Sequence, residues 1–333
     1  MKKILCFLII VVSIAGRSQT PSTGDFKIVK TFHIASNGGW DYLAIGPNNK
    51  LYVSHGSQVN ILDKNTGDSL GVIPNTTGVH GIAFDESSSK GFTSNGRINN
   101  VTVFDLNTNK ELDHIATGEN PDAILFDHFS KKIVTCNGRG KDLSIIDPVS
   151  MKVVATIPVG GKPETAVSDD AGNLYVNIED KSEIVHINMK NFIVADHWSI
   201  APGESPTGLA IDKNTKRLFA GCDKLLIVLN ALNGKIIDKL IIGDGCDGVA
   251  FDNGTKNIYT SNGDGTLTVI KENNADSYAV TTNVLTKKGA RTLSIDEPSH
   301  TIYLPAADYE PRTPENQRPK TIPGTFQILV IKK

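Results

Sequence analysis

Seven residues, Val79-His80-Gly81-Ile82-Ala83-Phe84-Asp85, set a pattern that returns along the whole chain, and this return constrains the fold more than any other feature. The pattern reappears as Pro121-Asp122-Ala123-Ile124-Leu125-Phe126-Asp127 and as Pro163-Glu164-Thr165-Ala166-Val167-Ser168-Asp169. It continues as Pro206-Thr207-Gly208-Leu209-Ala210-Ile211-Asp212, Cys246-Asp247-Gly248-Val249-Ala250-Phe251-Asp252 and Ala290-Arg291-Thr292-Leu293-Ser294-Ile295-Asp296. A divergent first copy is Trp40-Asp41-Tyr42-Leu43-Ala44-Ile45-Gly46, which makes seven units. Their last positions, 46, 85, 127, 169, 212, 252 and 296, are 39 to 44 residues apart, the length of one four-stranded propeller blade.

Each unit repeats an internal order of apolar strand, Asp/Asn/Gly-rich turn, second strand, short loop, third strand and fourth strand. In the second unit these are Ile82 to Phe84, Gly91 to Ser94, Val101 to Phe104 and Glu111 to Ile115. The last unit stops at its third strand, Phe326 to Ile331. Ahead of the first unit, Ile28 to Ile34 reads like the fourth strands Val153 to Val159 and Ile236 to Ile242. The N-terminal strand is therefore expected to complete the last blade and close the ring, removing a sheet edge. The expectation is an all-β, seven-bladed β-propeller occupying 25–333 as one domain, with no long helix.

Third and fourth strands such as Leu143-Ser144-Ile145-Ile146-Asp147 and Val153-Val154-Ala155-Thr156-Ile157-Pro158-Val159-Gly160 resemble the YVTN propeller repeat. The ending, Tyr303-Leu304-Pro305-Ala306-Ala307, a proline-rich loop and Pro323-Gly324-Thr325-Phe326, is similar to the YncE-like bacterial secreted proteins. The resemblance spans nearly the whole chain after its N-terminal leader. It implies the fold and says little about function.

Met1-Lys2-Lys3 followed by the apolar run Ile4 to Ile14 has the form of a secretory signal peptide, too short for a transmembrane span. Ala15, Gly16 and Ser18 offer cleavage points, with the cut expected just before Gln19; the other reading is a membrane-anchored N-terminus. This gives a signal peptide at 1–18, a linker at 19–24, and a periplasmic or extracellular, monomeric product with no stable membrane span. Cleavage removes Lys2, Lys3 and Arg17 and no acid, so a chain of formal net charge −2 becomes more acidic. That balance argues against nonspecific nucleic-acid binding, and few aromatics are at hand for stacking on single strands.

In a propeller blade the start of the innermost strand and the end of the second strand lie on one face, around the central channel. The residue five places before each unit's last position forms a ring there: Asp41, His80, Asp122, Glu164, Thr207, Asp247 and Arg291. Second-strand ends add Ser54-His55-Gly56, Ser94-Asn95-Gly96, Cys136-Asn137-Gly138, Asn177-Ile178-Glu179, Gly221-Cys222-Asp223 and Ser261-Asn262-Gly263. The matching loop of the seventh unit runs from residue 305 to 324, carries Pro311, Pro314, Pro319 and Pro323, and is long enough to lid such a funnel.

Several chemistries can be weighed on these residues. His55, His80, Asp41 and Asp122 suit a transition metal, against a solvated rim in which His80 and Asp41 bond each other. Asn95, Asn137, Asn262 and Glu164 suit a calcium-type site of the kind lactonase-like propellers use, although Asn before Gly is also a common tight turn. Of the cysteines remaining after cleavage, Cys136, Cys222 and Cys246, the last two come close enough to bridge, or remain buried thiols. Gly243, Gly245 and Gly248 match G-x-G-x-x-G, but a strand follows where phosphate binding needs a helix. The chain has no Walker A, H-E-x-x-H or C-x-x-C-H motif. Asn75, Asn100 and Asn253 begin glycosylation-type triplets, which arise often by chance. The expected function is binding of a protein, peptide or small cationic ligand at an acidic funnel, with a metal-dependent hydrolase as the rival.

Overall fold

The computed structural model describes residues 26–311 and 320–333; the expected leader and linker, and Pro314 and Pro319 of the long loop, lie outside them. The described strands form seven antiparallel four-stranded sheets. The innermost strands are Trp40–Ile45, Val79–Asp85, Pro121–Asp127, Pro163–Ser168, Leu209–Asp212, Cys246–Asp252 and Ser294–Asp296, one for each of blades 1 to 7. Each packs against the inner strands of both neighbouring blades, and that of blade 7 returns to that of blade 1, so the ring is complete.

Closure follows the expected route, one residue earlier in the chain. Lys27–His33 forms the outer strand of blade 7, antiparallel to Gln327–Lys332, with Phe32 opposite Ile328 and Thr31 opposite Leu329. The Ile34 amide then donates to the Phe326 carbonyl at 3.0 Å.

Burial follows position within the blade. Second and third strands are buried almost without a break, as in Lys132–Asn137 and Leu225–Asn230, because neighbouring blades cover both of their faces. Outer strands such as Ile193–Ser199 face solvent and bury little. The core is therefore a set of interblade layers, exemplified by Tyr52, Ile61, Ile82 and Phe104 between blades 1 and 2.

The aspartate that ends most repeat units is a staple on the face away from the rim. Asp212 takes the Lys256 ammonium of blade 6 at 2.9 Å, and Asp296 takes the Lys64 ammonium of blade 1 at 2.7 Å. Asp252 lies 2.8 Å from His300 Nδ1 of blade 7, and Asp127 accepts the Ser168 hydroxyl of blade 4. Among the described residues, no helix is long and apolar enough to cross a membrane.

Candidate functional site at the channel mouth

Five of the seven inner strands carry a register irregularity at the same place. It falls between Trp40 and Leu43, Val79 and Ile82, Pro121 and Ile124, Pro163 and Ala166, and Cys246 and Gly248. Asp41, His80, Asp122, Glu164 and Asp247 sit inside these bulges, where an extra residue interrupts the ladder and re-aims the side chain. Second-strand serines serve the freed backbone: Ser54 Oγ accepts from the Asp41 amide at 3.1 Å, and Ser94 Oγ from the Gly81 amide at 2.8 Å.

Hydroxyls then fasten the rim from blade to blade. Ser94 donates to the Asp122 carbonyl, Thr207 to the Cys246 carbonyl at 2.6 Å, and Thr292 to the Asp41 carbonyl at 2.7 Å. Thr207, expected to face a ligand, spends its hydroxyl on this fastening instead.

The remaining ring residues form three groups. On the side of blades 1 to 3, His80 Nδ1 lies 2.5 Å from Asp41 Oδ2 and 3.7 Å from Asp122 Oδ1. Asp122 Oδ1 is buried and has no hydrogen-bond partner. On the side of blade 4, the Lys162 ammonium donates to both Glu164 and Glu179. Arg291 bridges the far side, with Nη1 3.6 Å from Asp247, Nη2 donating to the Trp40 carbonyl at 2.7 Å, and its guanidinium over the Trp40 ring. Beneath the rim, Tyr42 of blade 1 reaches across the channel, its hydroxyl 3.5 Å from Thr165 of blade 4.

Crowded like charge out of water disfavours ionisation. Burial, then the Asp41 charge, pushes the Asp122 carboxyl up to about 7. Burial and the Asp122 charge push Glu164 up to about 9, and burial raises Asp247 despite Arg291. Burial alone would lower the His80 imidazole, but its hydrogen bond to Asp41 and the nearby carboxylate charges outweigh this and raise it. Burial also drives the Tyr42 hydroxyl well above its ordinary value, assisted by Asp122, Asp41 and Glu164.

A cleft of about 420 Å³ opens beside Asp41 and His80, with Arg97 and Arg291 on its walls. Another, of about 570 Å³, lies between the blade 6–7 connection and the stem of the long loop, where Lys287 and Asp308 already pair at 2.5 Å. That stem holds Tyr309 against the Trp40 ring, with centroids 6.2 Å apart, and Tyr309 bridges Thr321.

Two further expectations are corrected. His55 does not join the metal candidates: its Nδ1 lies 2.6 Å from Ser36 Oγ, its Nε2 lies 2.9 Å from the Gly38 carbonyl, and its ring stacks on Phe326 at 4.0 Å. Asn95, Asn137 and Asn262 are fully buried bolts between second and third strands, not funnel groups. Asn95 accepts from Thr93 and donates to Asn100 and Thr102, and the same device recurs at Asn137 with Asp142 and Ser144 and at Asn262 with Thr266 and Thr268.

Cys222 and Cys246 are free thiols, because each packs into a different interblade layer. Their sulfurs turn to the carbonyls of Ala220 and Gly248, each at 3.7 Å, and burial pushes the Cys222 thiol up to about 12. Cys136, Cys222 and Cys246 are therefore expected to resist Ellman's reagent until the protein is unfolded. Mass-spectrometric mapping that finds any of them labelled in native protein, or a Cys222–Cys246 bridge, would contradict this packing.

Sequence reasoning missed Lys162 and Tyr42 as rim residues and saw Glu179 only as a second-strand end. Lys162 stands in the blade 3–4 connection, outside the repeat position used to build the ring. Tyr42 occupies a repeat position held by Gly, Ala or Thr in the other six units, and only its polar tip hinted at the channel.

These elements define a seven-bladed β-propeller with a charged channel mouth. No protein-family model matches the chain, and no curated protein matches it. Among solved structures it is similar to a chain of hydrazine synthase from Kuenenia stuttgartiensis, at 16% identity and a TM-score of 0.72, covering 82% of this chain and 94% of that one. At that identity the likeness is one of fold alone.

Proposed function

We propose that this protein is a non-enzymatic binding or interaction propeller of the YVTN, YncE-like kind. It acts in the periplasm or outside the cell, and takes a cationic peptide, protein segment or small ligand at the channel mouth. One observation carries the reading: Asp41, Asp122, Glu164, Glu179 and Asp247 converge from blades 1, 3, 4 and 6, where the fixed cations among the described residues are Lys162, Arg97 and Arg291. A scaffold that crowds carboxyls out of water, where they resist losing their protons, gains free energy when a cation arrives to offset the charge. The long loop, standing at the same mouth through Tyr309, supplies a flank for recognition. A hydrolase reading has less support, since the amides that would have held calcium are bound within their blades.

The test is a panel of fluorescent oligopeptides of equal length and graded charge, read by anisotropy at low and moderate salt. Wild-type protein is expected to prefer Lys- and Arg-bearing peptides, with affinity falling as salt rises. Glu164→Gln with Asp247→Asn should erase most of that preference, about tenfold or more at low salt. A charge preference that is missing in the wild type, or equal in the variant, overturns the reading.

A further inference from the structure

We propose that Asp41, His80 and Asp122 form a site for one divalent transition-metal ion of the zinc and cobalt type, with a coordination position left open to the channel. The proposal rests on the reading that this mouth receives cations, but it concerns only the side of blades 1 to 3.

The first support is geometric. Three donor atoms, one imidazole nitrogen and two carboxylate oxygens, lie within 4.8 Å of one another. Donors around a tetrahedral zinc ion at its usual bond lengths of about 2.0–2.2 Å are separated by roughly 3.4 Å. The His80–Asp122 separation of 3.7 Å already meets this, and the His80–Asp41 contact of 2.5 Å has to open by about 1 Å, within reach of a carboxylate rotation.

A second, independent observation is the orphaned oxygen. Asp122 Oδ1 is buried without a hydrogen-bond partner while its side chain is only 13% exposed, and it faces His80 Nδ1. A buried acceptor with nothing to accept is costly, and in native proteins it marks strain, a role in chemistry or an ion.

The three residues are also built in rather than gathered by chance. They occupy the same repeat position in three successive blades, each inside a bulge whose backbone is tied to a neighbour. Gly96 leaves room for the other edge of the imidazole: a Cβ there would come within 2.6 Å of His80 Nε2. Nitrogen with carboxylate oxygens suits zinc, cobalt, nickel or copper, whereas calcium needs six to eight oxygens and three protein donors fall short. The facing charges are Arg97 and Arg291, which oppose the ion, and Glu164 and Asp247, which favour it; Lys162 stays occupied by Glu164 and Glu179.

The experiment titrates the purified protein at pH 7.5 with cobalt(II) and follows visible d–d absorption, with zinc(II) as competitor. One cobalt per chain, intense bands of low coordination number, and displacement by zinc but not by calcium or magnesium are expected. His80→Ala, with far-UV circular dichroism to confirm the fold, should abolish the bands. The isosteric Asp122→Asn should weaken binding by about tenfold or more. Absence of stoichiometric cobalt, or equal binding by folded His80→Ala and Asp122→Asn, overturns the proposal. The peptide panel run on His80→Ala separates the two readings, because charge preference through Glu164 and Asp247 should survive there.

Discussion

Phe32→Ala is expected to cost about 3–5 kcal/mol of unfolding free energy, the largest loss a single truncation in the closing strand should produce. The reason lies in what that strand joins. Lys27–His33 is mostly exposed, yet Phe32 is 5% exposed and sits in one layer with Leu62 and Trp40 of blade 1 and Tyr303 and Ile328 of blade 7. Its ring lies against Gly67 of blade 1, where a Cβ would approach within 2.3 Å; Gly67 has φ +83°, so its conformation and the space for Phe32 both require glycine. Removing the ring opens a cavity at the seam where the two ends of the chain meet, and the edge of Gln327–Lys332 is weakened with it. Urea unfolding followed by circular dichroism measures the loss. Val29→Ala in the same strand, 40% exposed, should change stability by no more than about 0.5 kcal/mol. Similar losses in both variants would mean that strand pairing, rather than the Phe32 contact, carries the closure.

Much of this fold could be read from the sequence because a propeller asks the same thing of each blade. Inner and middle strands packed between blades give short, mostly apolar runs, and Ile82 to Phe84 or Leu143 to Ile146 announce their blade without help from distant residues. The rim was legible for a related reason. A bulge at one register in five of the seven blades puts the same repeat position at the channel, so Asp41, His80, Asp122, Glu164 and Asp247 were found by counting. What counting could not give was the direction of a side chain within a second strand. His55, Asn95, Asn137 and Asn262 stand at the correct end of their strands but point into the blades. A local signal was available for the asparagines. Thr93, Thr135 and Thr260 stand two residues before them on the same strand face, and Thr102, Ser144 and Thr268 stand on the adjacent strand, a spacing that suits a side-chain ladder. Lys162 left no such mark, since it lies in a connection where the repeat does not fix the backbone.

On the face opposite the rim, Glu272→Gln is expected to stabilise the protein at pH 8 by about 3 kcal/mol and to leave it unchanged at pH 4. Glu272 is 4% exposed; Oε1 accepts from the Thr215 hydroxyl at 3.0 Å and the Tyr278 hydroxyl at 3.4 Å, while no donor reaches the buried Oε2. Beside it, Asp212 keeps the Lys256 ammonium, so two buried carboxylates share one cation. Burial, then the hydrogen bond to Asp212 and its charge, push Glu272 from 4.5 up to about 7. A carboxyl whose folded value is raised holds its proton in the native state after the unfolded chain has lost it. Its contribution to stability is complete below about 4.5 and is lost as the pH climbs through about 7. The amide of glutamine donates to Asp212 as the protonated acid does, at every pH, so the variant should flatten this part of the stability profile. Urea midpoints at half-unit steps from pH 4 to pH 8 provide the comparison. Parallel profiles for wild type and variant would show that the proton on Glu272 is not what couples blades 5 and 6 to pH, and would move the search to the rim carboxylates.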